Sequence, residues 1–295
     1  MGIYKTPLRY PGGKQKISPF IAEIIEENNL FGGQYVEPYA GGAGVAIELL
    51  LNGTVSQIHL NDSCPAVYAF WYSILHETEE FCYRISRASL DVEEWKKQRE
   101  IIRNPRDYDK FDLGFALFFL NRCNRSGILS AGVIGGMNQT GKWKINARFH
   151  RNELIHRIES IARKKDCIRI RNWDAEKFMI QYIPRLPKKT LVYFDPPYYH
   201  KSQELYQNYY NKKDHERIAK IIQKKIKNPW MVTYDNTPEI LKYYERRKKF
   251  IYSLQYSAGR VYQGLEIFIV SDKITVPTSS NVPFINQGLN SIHYS

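Results

Sequence analysis

The sequence predicts an α/β fold in which helices flank a mixed, mostly parallel sheet. Two segments indicate it. A short strand at 35–37 leads into the glycine-rich turn Pro38-Tyr39-Ala40-Gly41-Gly42-Ala43-Gly44, and a helix follows. The apolar run 190–194 has the pattern of a buried strand and leads into Asp195-Pro196-Pro197-Tyr198. A strand that opens onto a glycine-rich turn and a helix is typical of doubly wound folds, which bind ligands at the carboxyl ends of their strands.

The tetrapeptide at 195–198 carries the clearest chemical signal. Its two prolines fix the backbone and lack N–H groups, so the Asp195 carboxylate and the Pro196 carbonyl form a rigid pair of acceptors. A planar amine could donate one hydrogen to each, and Tyr198 offers a ring on which a heterocycle could stack. The alternative is a plain proline turn in which Asp195 caps a helix and Tyr198 belongs to the core.

Composition points to a globular protein with a polyanionic partner. The chain has 295 residues, 43% hydrophobic and 25% charged, with a net charge of +13. Nucleic acid is the simplest partner, although a chain rich in lysine can be basic by composition alone. The cysteines are widely spaced, which indicates reduced thiols in a cytoplasmic protein: they are Cys64, Cys82, Cys123 and Cys167. We expect no metal site and, because no apolar run reaches about 18 residues, no membrane span.

The first motif of the chain is Tyr10-Pro11-Gly12-Gly13-Lys14. Its paired glycines would let the backbone approach a ligand closely, and Lys14 can reach a carboxylate or a phosphate. The spacing is not that of a P-loop, and a plain loop is the alternative. Ser18 is predicted to cap the next helix, with Pro19 at its first position, and Gly32-Gly33 to end it.

The second predicted strand, 57–60, leads into Asn61-Asp62. Asp62 lies about 20 residues past the glycine-rich turn, where an acid would bind ribose hydroxyls, although it could instead cap the helix after Ser63. The turn carries Gly-Gly-x-Gly and not the dinucleotide fingerprint Gly-x-Gly-x-x-Gly. An adenosine cofactor without a pyrophosphate is therefore favoured.

Between the two halves of the predicted sheet the chain is helical over 64–120 and then changes composition. Segment 126–149 is rich in glycine, basic and aromatic residues, and Gln139-Thr140-Gly141-Lys142 is predicted as the tip of a β-hairpin. A basic, aromatic hairpin suits entry into a DNA groove, and a solvated loop is the equal alternative. A helix at 151–164 follows.

After residue 165 the sheet pattern returns. Strand 167–170 is followed by Asn172-Trp173-Asp174, which puts a third acid at the same sheet edge. Further strands are predicted at 190–194, 230–234, 250–256 and 266–270. The tyrosine-rich segment 198–211 is predicted to be a mobile loop over the site. Beyond Lys273 the chain loses its pattern, and we assign it no structure.

In this order the motifs resemble the Dam-type DNA adenine-N6 methyltransferases, which use S-adenosylmethionine (SAM) and carry Asp-Pro-Pro-Tyr. The resemblance covers roughly residues 7 to 271, and its motifs here are Pro-Gly-Gly-Lys at 11–14, Glu-Pro-Tyr-Ala-Gly-Gly-Ala-Gly at 37–44, Asn-Asp at 61–62 and Asp-Pro-Pro-Tyr at 195–198. It implies a Rossmann-like methyltransferase core with an inserted, mainly helical target-recognition domain that carries the hairpin. The expected division is a core at 1–75 and 165–273, an insertion at 76–164 and a tail at 274–295.

The resemblance also implies roles for individual residues. The residues expected to contact the cofactor are Tyr10, Gly12, Gly13, Lys14, Glu37, Pro38, Gly41, Gly42, Asp62, Asp174 and Asp195. Of these, Asp62 would bind the ribose and Asp174 the adenine region, while Glu37 would lie at the methionine end. The residues expected to hold the target adenine are Asp195, Pro196, Pro197 and Tyr198. The residues expected to contact DNA are Arg122, Arg125, Lys142, Lys144 and Arg148.

Two departures limit what the resemblance implies. Trp173-Asp174-Ala175 stands where the family commonly has Gly-Asp-Phe, which puts stacking on the cofactor's adenine in doubt. Segment 121–149 keeps Asn121-Arg122 but otherwise differs from the pattern associated with GATC. The recognised DNA sequence is therefore not implied.

The resulting prediction is a site-specific enzyme that transfers a methyl group from SAM to the N6 amine of adenine in double-stranded DNA, with base flipping. Asp195 and the Pro196 carbonyl would draw the amine hydrogens toward a tetrahedral arrangement and localise the nitrogen lone pair, without a metal. The alternatives are a cytosine-N4 methyltransferase, an RNA or protein-amide methyltransferase, and a non-catalytic, SAM-sensing DNA-binding protein. We expect a cytoplasmic monomer, with a cognate restriction endonuclease as a candidate partner.

Overall fold

The computed structural model describes residues 5–9, 14–199, 210–256, 262–277 and 284–286. Within them the chain forms one eight-stranded sheet. Its strands are β1 (Gln34–Glu37), β2 (Gln57–Asn61), β3 (Ile168–Arg171), β4 (Thr190–Phe194), β5 (Trp230–Asp235), β6 (Lys248–Tyr256), β7 (Tyr262–Val270) and β8 (Phe284–Asn286). Their spatial order is β3-β2-β1-β4-β5-β7-β6-β8.

Strands β1 to β5 are parallel, and β7, β6 and β8 complete the sheet in antiparallel pairs. This confirms the mixed, mostly parallel sheet. The predicted closing pair forms as expected, because β6 and β7 align over nine residues each. Strand β8 falls in the tail to which the sequence assigned no structure, and it pairs with the outer edge of β6.

Helices cover both faces of the sheet. In the described residues they are α1 (Ser18–Glu27), α2 (Gly44–Leu51), α3 (Pro65–His76), α4 (Thr78–Arg87), α5 (Val92–Arg103), α6 (Lys110–Cys123), α7 (Arg151–Ala162), α8 (Ala175–Gln181), α9 (Lys212–Lys225) and α10 (Pro238–Tyr243). Strand β4 shows how the two layers arise, since successive side chains of a strand point to opposite faces. Leu191 and Tyr193 join the core that contains α1 to α7, and Val192 and Phe194 join the core beneath α8 to α10.

Helix α6 is the centre of the region between β2 and β3. Every residue from Leu113 to Cys123 is buried, because α3 and α5 both pack against this helix. Gly114 permits the close approach of α3: a Cβ atom at this position would lie 2.8 Å from the backbone of Ala69. The apolar core runs without interruption from α1 through α3 into α6. The predicted division into a core and an insertion at 76–164 stays a prediction.

The predicted β-hairpin at 126–149 is wrong. The segment contains the 3-10 helices Arg125–Gly127 and Ile145–Arg148, and its single β-bridge joins Asn124 to Val133. Gly135 and Gly136 adopt left-handed backbone angles, with φ of 88° and 77°, which an extended strand cannot contain. The Gln139 side chain organises the loop by donating to the carbonyls of Ile134 and Gly136, at 2.8 and 2.7 Å.

The entry into α1 also differs from the prediction. A 3-10 helix at Lys14–Ile17 runs directly into α1, so Ser18 is its first residue rather than its cap. The Ser18 hydroxyl donates instead to the carbonyl of Gln15 at 2.7 Å. The helix ends at Glu27, before the predicted Gly32-Gly33. No helix in the described part of the chain is both long and apolar enough to span a membrane.

Candidate active site

Acidic side chains collect at one edge of the sheet. The parallel strands β1 to β5 all have their carboxyl ends at this edge, and each ends in an acid or is followed closely by one: Glu37, Asp62, Asp174, Asp195 and Asp235. The side chain of Lys14 reaches the same edge from the 3-10 helix before α1. The sequence pattern thus brings its four predicted acids, Glu37, Asp62, Asp174 and Asp195, and its predicted lysine to the sheet edge where ligands bind in such folds.

Asp195 is held on one side of its carboxylate. The Thr233 hydroxyl donates to Asp195 Oδ1 at 2.7 Å, and Lys14 Nζ lies 3.2 Å from the same oxygen. Among the described residues no hydrogen bond reaches Oδ2, and the side chain remains 30% exposed. Burial raises the pKa of Asp195, and the charge of Lys14 opposes that rise. The carboxylate is therefore fixed in orientation while one oxygen stays available to a ligand.

The turn after Asp195 is fixed as well. Pro196 is buried and Pro197 half-buried, and the Tyr199 amide donates to Asp235 Oδ1 at 2.8 Å, which ties the turn to the end of β5. The Tyr198 ring is only 6% exposed, so little of its face is open to a stacking base. Its burial agrees with the alternative of a core residue, but its hydroxyl contacts place it within the site.

The Tyr198 hydroxyl contacts Glu266, an acid that the sequence analysis did not assign to the site. The Tyr198 hydroxyl donates to Glu266 Oε1 at 2.8 Å, and Lys14 Nζ lies 3.0 Å from that hydroxyl and 3.2 Å from Glu266 Oε1. The Tyr252 hydroxyl donates to Glu266 Oε2. Glu266 lies on β7, opposite Asp235 of β5. The signal in the sequence was a single acid inside the apolar strand 265–270.

Asp62 braces the glycine-rich turn. Its Oδ2 accepts from the Gly41 amide and its Oδ1 from the Cys64 amide, both at 2.9 Å. The turn needs this support because Gly41 and Ala43 both adopt left-handed angles, with φ of 45°. Burial raises the pKa of Asp62. The N-cap of α3 is Cys64, so the alternative of Asp62 as that cap is wrong.

Glu37 lies inside the same turn. Its side chain is buried, and Oε1 accepts from the Ala46 amide at 3.1 Å, in the first turn of α2. Burial, together with the nearby charge of Asp195, raises the pKa of Glu37 to about 8. The carbonyls of Pro38 and Gly42 are also engaged, by Asn61 Nδ2 at 3.1 Å and the Thr6 hydroxyl at 2.5 Å.

Asn61 joins the glycine-rich turn to the turn before α8. It belongs to the Asn-Asp motif at 61–62, but no role was predicted for its side chain from the sequence. Besides Pro38, its amide donates to the carbonyl of Trp173 at 3.0 Å, and its Oδ1 accepts from the Trp173 amide at 3.0 Å. Asp174 is exposed and caps α8, with Oδ1 accepting from the amides of Glu176 and Lys177 at 3.0 and 3.1 Å. A buried polar residue at a strand end was the available signal for Asn61.

The predicted DNA-contacting residues divide into two groups. The exposed ones are Arg125, Lys142, Lys144 and Arg148. Arg122 is buried, with 7% exposure, and its guanidinium donates to the carbonyls of Arg148 and Pro7 at 2.7 and 3.4 Å. Burial lowers the pKa of Arg122 to about 9. Because its donors face the protein interior, Arg122 does not suit the predicted DNA contact.

Three predicted cofactor residues, Tyr10, Gly12 and Gly13, lie outside the described residues, as does most of the tyrosine-rich segment 198–211. No group of three or more His, Cys, Asp or Glu side chains in the described ranges could hold a metal ion. The metal-free site stays a prediction.

A family model for D12 class N6 adenine-specific DNA methyltransferases matches residues 10–257 of the chain. The chain belongs to this family. It is an adenine-specific DNA methyltransferase, and the matched region includes Lys14, the glycine-rich turn and the tetrapeptide at 195–198. The family resemblance carried by the order of the motifs is thereby confirmed.

Other comparisons with this D12-class methyltransferase add little. The rRNA methyltransferase AviRa from Streptomyces viridochromogenes is 11% identical, with a TM-score of 0.36 over 88% of this chain and 85% of that one. A conserved hypothetical protein from Streptococcus pyogenes is 11% identical, with a TM-score of 0.33 over 85% and 94%. With TM-scores this low, neither likeness bears on the fold or the function. The comparison with curated proteins gave no match.

Proposed function

We propose that this enzyme transfers the methyl group of SAM to the N6 amine of an adenine that has been flipped out of double-stranded DNA. The observation that carries the proposal is the orientation of Asp195. Thr233 and Lys14 hold Oδ1, while the carboxylate stays 30% exposed at the carboxyl end of β4. A fixed, accessible carboxylate oxygen beside a proline-locked carbonyl is the acceptor pair that an exocyclic amine needs.

The residues that would hold SAM fit an adenosine cofactor. The glycine-rich turn is kept in a left-handed conformation by Asp62, and Glu37 lies buried behind it. We place the methionine end of the cofactor at Glu37, Pro38, Gly41 and Gly42, its ribose at Asp62 and its adenine region at Asp174. SAM supplies an electrophilic methyl group on its sulfonium. Lys14 would act from behind Asp195, because its ammonium is already engaged there.

The chain's own part in the reaction is positioning and electrostatics. The adenine amine is a weak nucleophile because its lone pair is delocalised into the ring. Asp195 Oδ2 and the Pro196 carbonyl would each accept one amine hydrogen, which localises the lone pair on the nitrogen. Tyr198 anchors the ammonium of Lys14 and the carboxylate of Glu266. Stacking of the target base on Tyr198 would require its ring to leave this buried cluster.

The DNA-contacting surface is proposed to be the exposed basic set, Arg125, Lys142, Lys144 and Arg148. These side chains lie in or beside the loop 126–149, which belongs to the proposed recognition domain at 76–164. A loop braced by the Gln139 amide can present them without a hairpin. Charge-neutralising contacts of this kind position DNA and make its binding depend on salt.

Incubation with tritiated SAM tests the proposal. Duplex DNA, single-stranded DNA, RNA and a protein extract are supplied separately, and labelled products are resolved by nucleoside analysis. The expected result is N6-methyladenine in duplex DNA alone. Label in N4-methylcytosine, in RNA or in protein would contradict the proposal and favour the corresponding alternative. SAM-dependent DNA binding without any transfer would favour a sensor.

The recognised sequence and the flipping step need two further measurements. Sequencing DNA from a host that expresses the enzyme, with detection of modified adenine, gives the recognised site. A duplex carrying 2-aminopurine at the target position then reports flipping, because the fluorescence of that base rises when it leaves the stack. Unchanged fluorescence with enzyme that methylates the matched duplex carrying adenine at that position would contradict flipping.

A further inference from the structure

Glu266 is a buried acid inside the active site. It is 1% exposed, and the side chains of Lys14, Tyr198 and Tyr252 contact its carboxylate. These contacts come from the N-terminal motif, the tetrapeptide turn and β6, so the carboxylate joins three separate parts of the chain. Burial of a carboxylate costs free energy unless it is paired and hydrogen-bonded. The contacts of Glu266 supply this pairing and hydrogen bonding, so its surroundings suit a buried carboxylate.

Lys14 is shared by two carboxylates. Its Nζ lies 3.2 Å from Asp195 Oδ1 and 3.2 Å from Glu266 Oε1, and its side chain is 4% exposed. Three buried or half-buried groups thus carry one positive and two negative charges. If Asp195 takes up a proton, Lys14 keeps Glu266 as its counter-ion. Without Glu266, protonation of Asp195 would leave the ammonium of Lys14 without a counter-ion in a site of low polarity, which is unfavourable.

The reaction requires a proton acceptor. When the N6 lone pair forms the new N–C bond, the C–S bond breaks and its electron pair stays on sulfur. The nitrogen then carries a positive charge until one N–H bond gives up its proton and returns its electron pair to nitrogen. Of the two acceptors in the proposed geometry, only the Asp195 carboxylate is basic enough to take up this proton, and its 30% exposed side chain can pass the proton on to solvent.

We propose, on the basis of the proposed function, that Glu266 is a positioning residue that shares Lys14 with Asp195, and so lets Asp195 take up the proton released from N6. The tyrosines around the pair reinforce the arrangement, since Tyr198 and Tyr252 donate to the Glu266 carboxylate. Thr233 keeps Oδ1 of Asp195 turned toward Lys14 and leaves Oδ2 for the amine.

The charges that face Asp195 act in the required directions. Lys14 lowers the pKa of Asp195, and the negative charge of Glu266 raises it. Among the described residues, the titratable groups that interact with Asp195 from the surrounding elements are Lys14, Tyr35, Glu37, Tyr193, Tyr234, Tyr252 and Glu266. The Tyr198 hydroxyl contacts the ammonium of Lys14. Burial raises the pKa values of the strand tyrosines in this set, so they stay uncharged. The charges that act on Asp195 are therefore those of the lysine and the acids.

The test is the pH dependence of methyl transfer in single-turnover experiments at saturating SAM and DNA. The acid limb of the rate profile is the range in which the rate falls as the pH decreases and Asp195 is protonated. Glu266→Gln is expected to move this limb to lower pH by about one unit, because it removes a like charge from the surroundings of Asp195. The plateau rate is expected to fall about tenfold, because proton transfer to a weaker acceptor is less favourable. Lys14→Met is expected to move the acid limb in the opposite direction.

Three controls separate this role from a merely structural one. Glu266→Asp keeps the charge and should restore the acid limb toward its original position. Asp272→Asn neutralises an exposed acid just beyond the same strand and should leave the profile unchanged. Thermal unfolding and SAM binding are measured for each variant, so that a folding defect is recognised as such.

Opposite displacements of the acid limb in Glu266→Gln and Lys14→Met support the proposal. An unmoved limb in both variants, or displacement in the same direction, would overturn it. These outcomes leave the proposed function intact, since that function fails only if the unmodified enzyme transfers no methyl group to adenine N6 in DNA.

Discussion

Replacing Thr233 by valine tests whether Asp195 must be held through its Oδ1 atom. Thr233 is buried, with 0% exposure, and its hydroxyl donates to Asp195 Oδ1 at 2.7 Å. The same hydroxyl lies 2.8 Å from that of Tyr193. Valine fills a similar space but has no hydroxyl, so the substitution removes both hydrogen bonds and leaves the other side chains in place.

The size of the effect follows from the charge on Asp195. A hydrogen bond to a charged group contributes about 1.5–3 kcal/mol. If all of it is realised in the transition state, kcat/KM falls by about 10- to 150-fold, since about 1.4 kcal/mol corresponds to a factor of ten. Because the Thr233 hydroxyl also lowers the pKa of Asp195, its loss should move the acid limb of the rate profile to higher pH.

The assay is the initial rate of methyl transfer to duplex DNA, measured with the midpoint of thermal unfolding. Thr233→Ser keeps the hydroxyl and serves as the matched control. Tyr193→Phe removes the second hydroxyl while leaving the bond between Thr233 and Asp195, and it should lower stability more than activity. A valine variant that folds like the serine variant and turns over within about twofold of it would refute the reasoning.

Three further variants test other parts of the molecule. Asp195→Ala should abolish methyl transfer while SAM binding, measured by calorimetry, falls only modestly, because the proposed cofactor contacts lie mainly at the glycine-rich turn. The double variant Lys142→Ala, Lys144→Ala should weaken DNA binding and flatten its dependence on salt, as each lost phosphate contact reduces the slope by about 0.9. Burial raises the pKa of Glu37 from 4.5 to about 8. Protonation of Glu37 therefore adds its full contribution to the free energy of unfolding below pH 4.5, and this contribution is lost as the pH rises through 8. Glu37→Gln should therefore flatten the fall of the unfolding midpoint over that range.

Each of these three predictions can be contradicted by a specific result. Near-normal turnover by the alanine variant at 195 would remove that carboxylate from the mechanism. Equal affinity and salt slope for the double lysine variant and for Lys224→Ala, Lys225→Ala, an exposed pair at the end of α9, would remove the loop from the DNA interface. Parallel stability curves for the unmodified enzyme and the glutamine variant at 37 would show that this acid keeps its ordinary pKa in the folded state.

The sequence by itself determined the order of the elements and the edge at which the site lies. Strands β1, β2, β4 and β5 were predicted within a residue of their observed bounds, because their apolar runs end at acidic, asparagine or proline residues that stop a strand locally. The position of Asp62 and Asp195 at one sheet edge follows from the parallel pairing that such a pattern requires. Local information was enough wherever the determinants were neighbours in the chain.

Only the tertiary structure decided which side chains meet. Glu266 and Lys14 are 252 positions apart, and they touch because β7 inserts next to β5, a pairing that no local pattern encodes. The packing of α6 buried Arg122, although its charge suggested an exposed contact. In the loop 126–149, left-handed glycines and the Gln139 amide replaced the predicted ladder of a hairpin. In each case the outcome depended on the environment that distant segments create, which sets both the cost of burying a charge and the partners available to it.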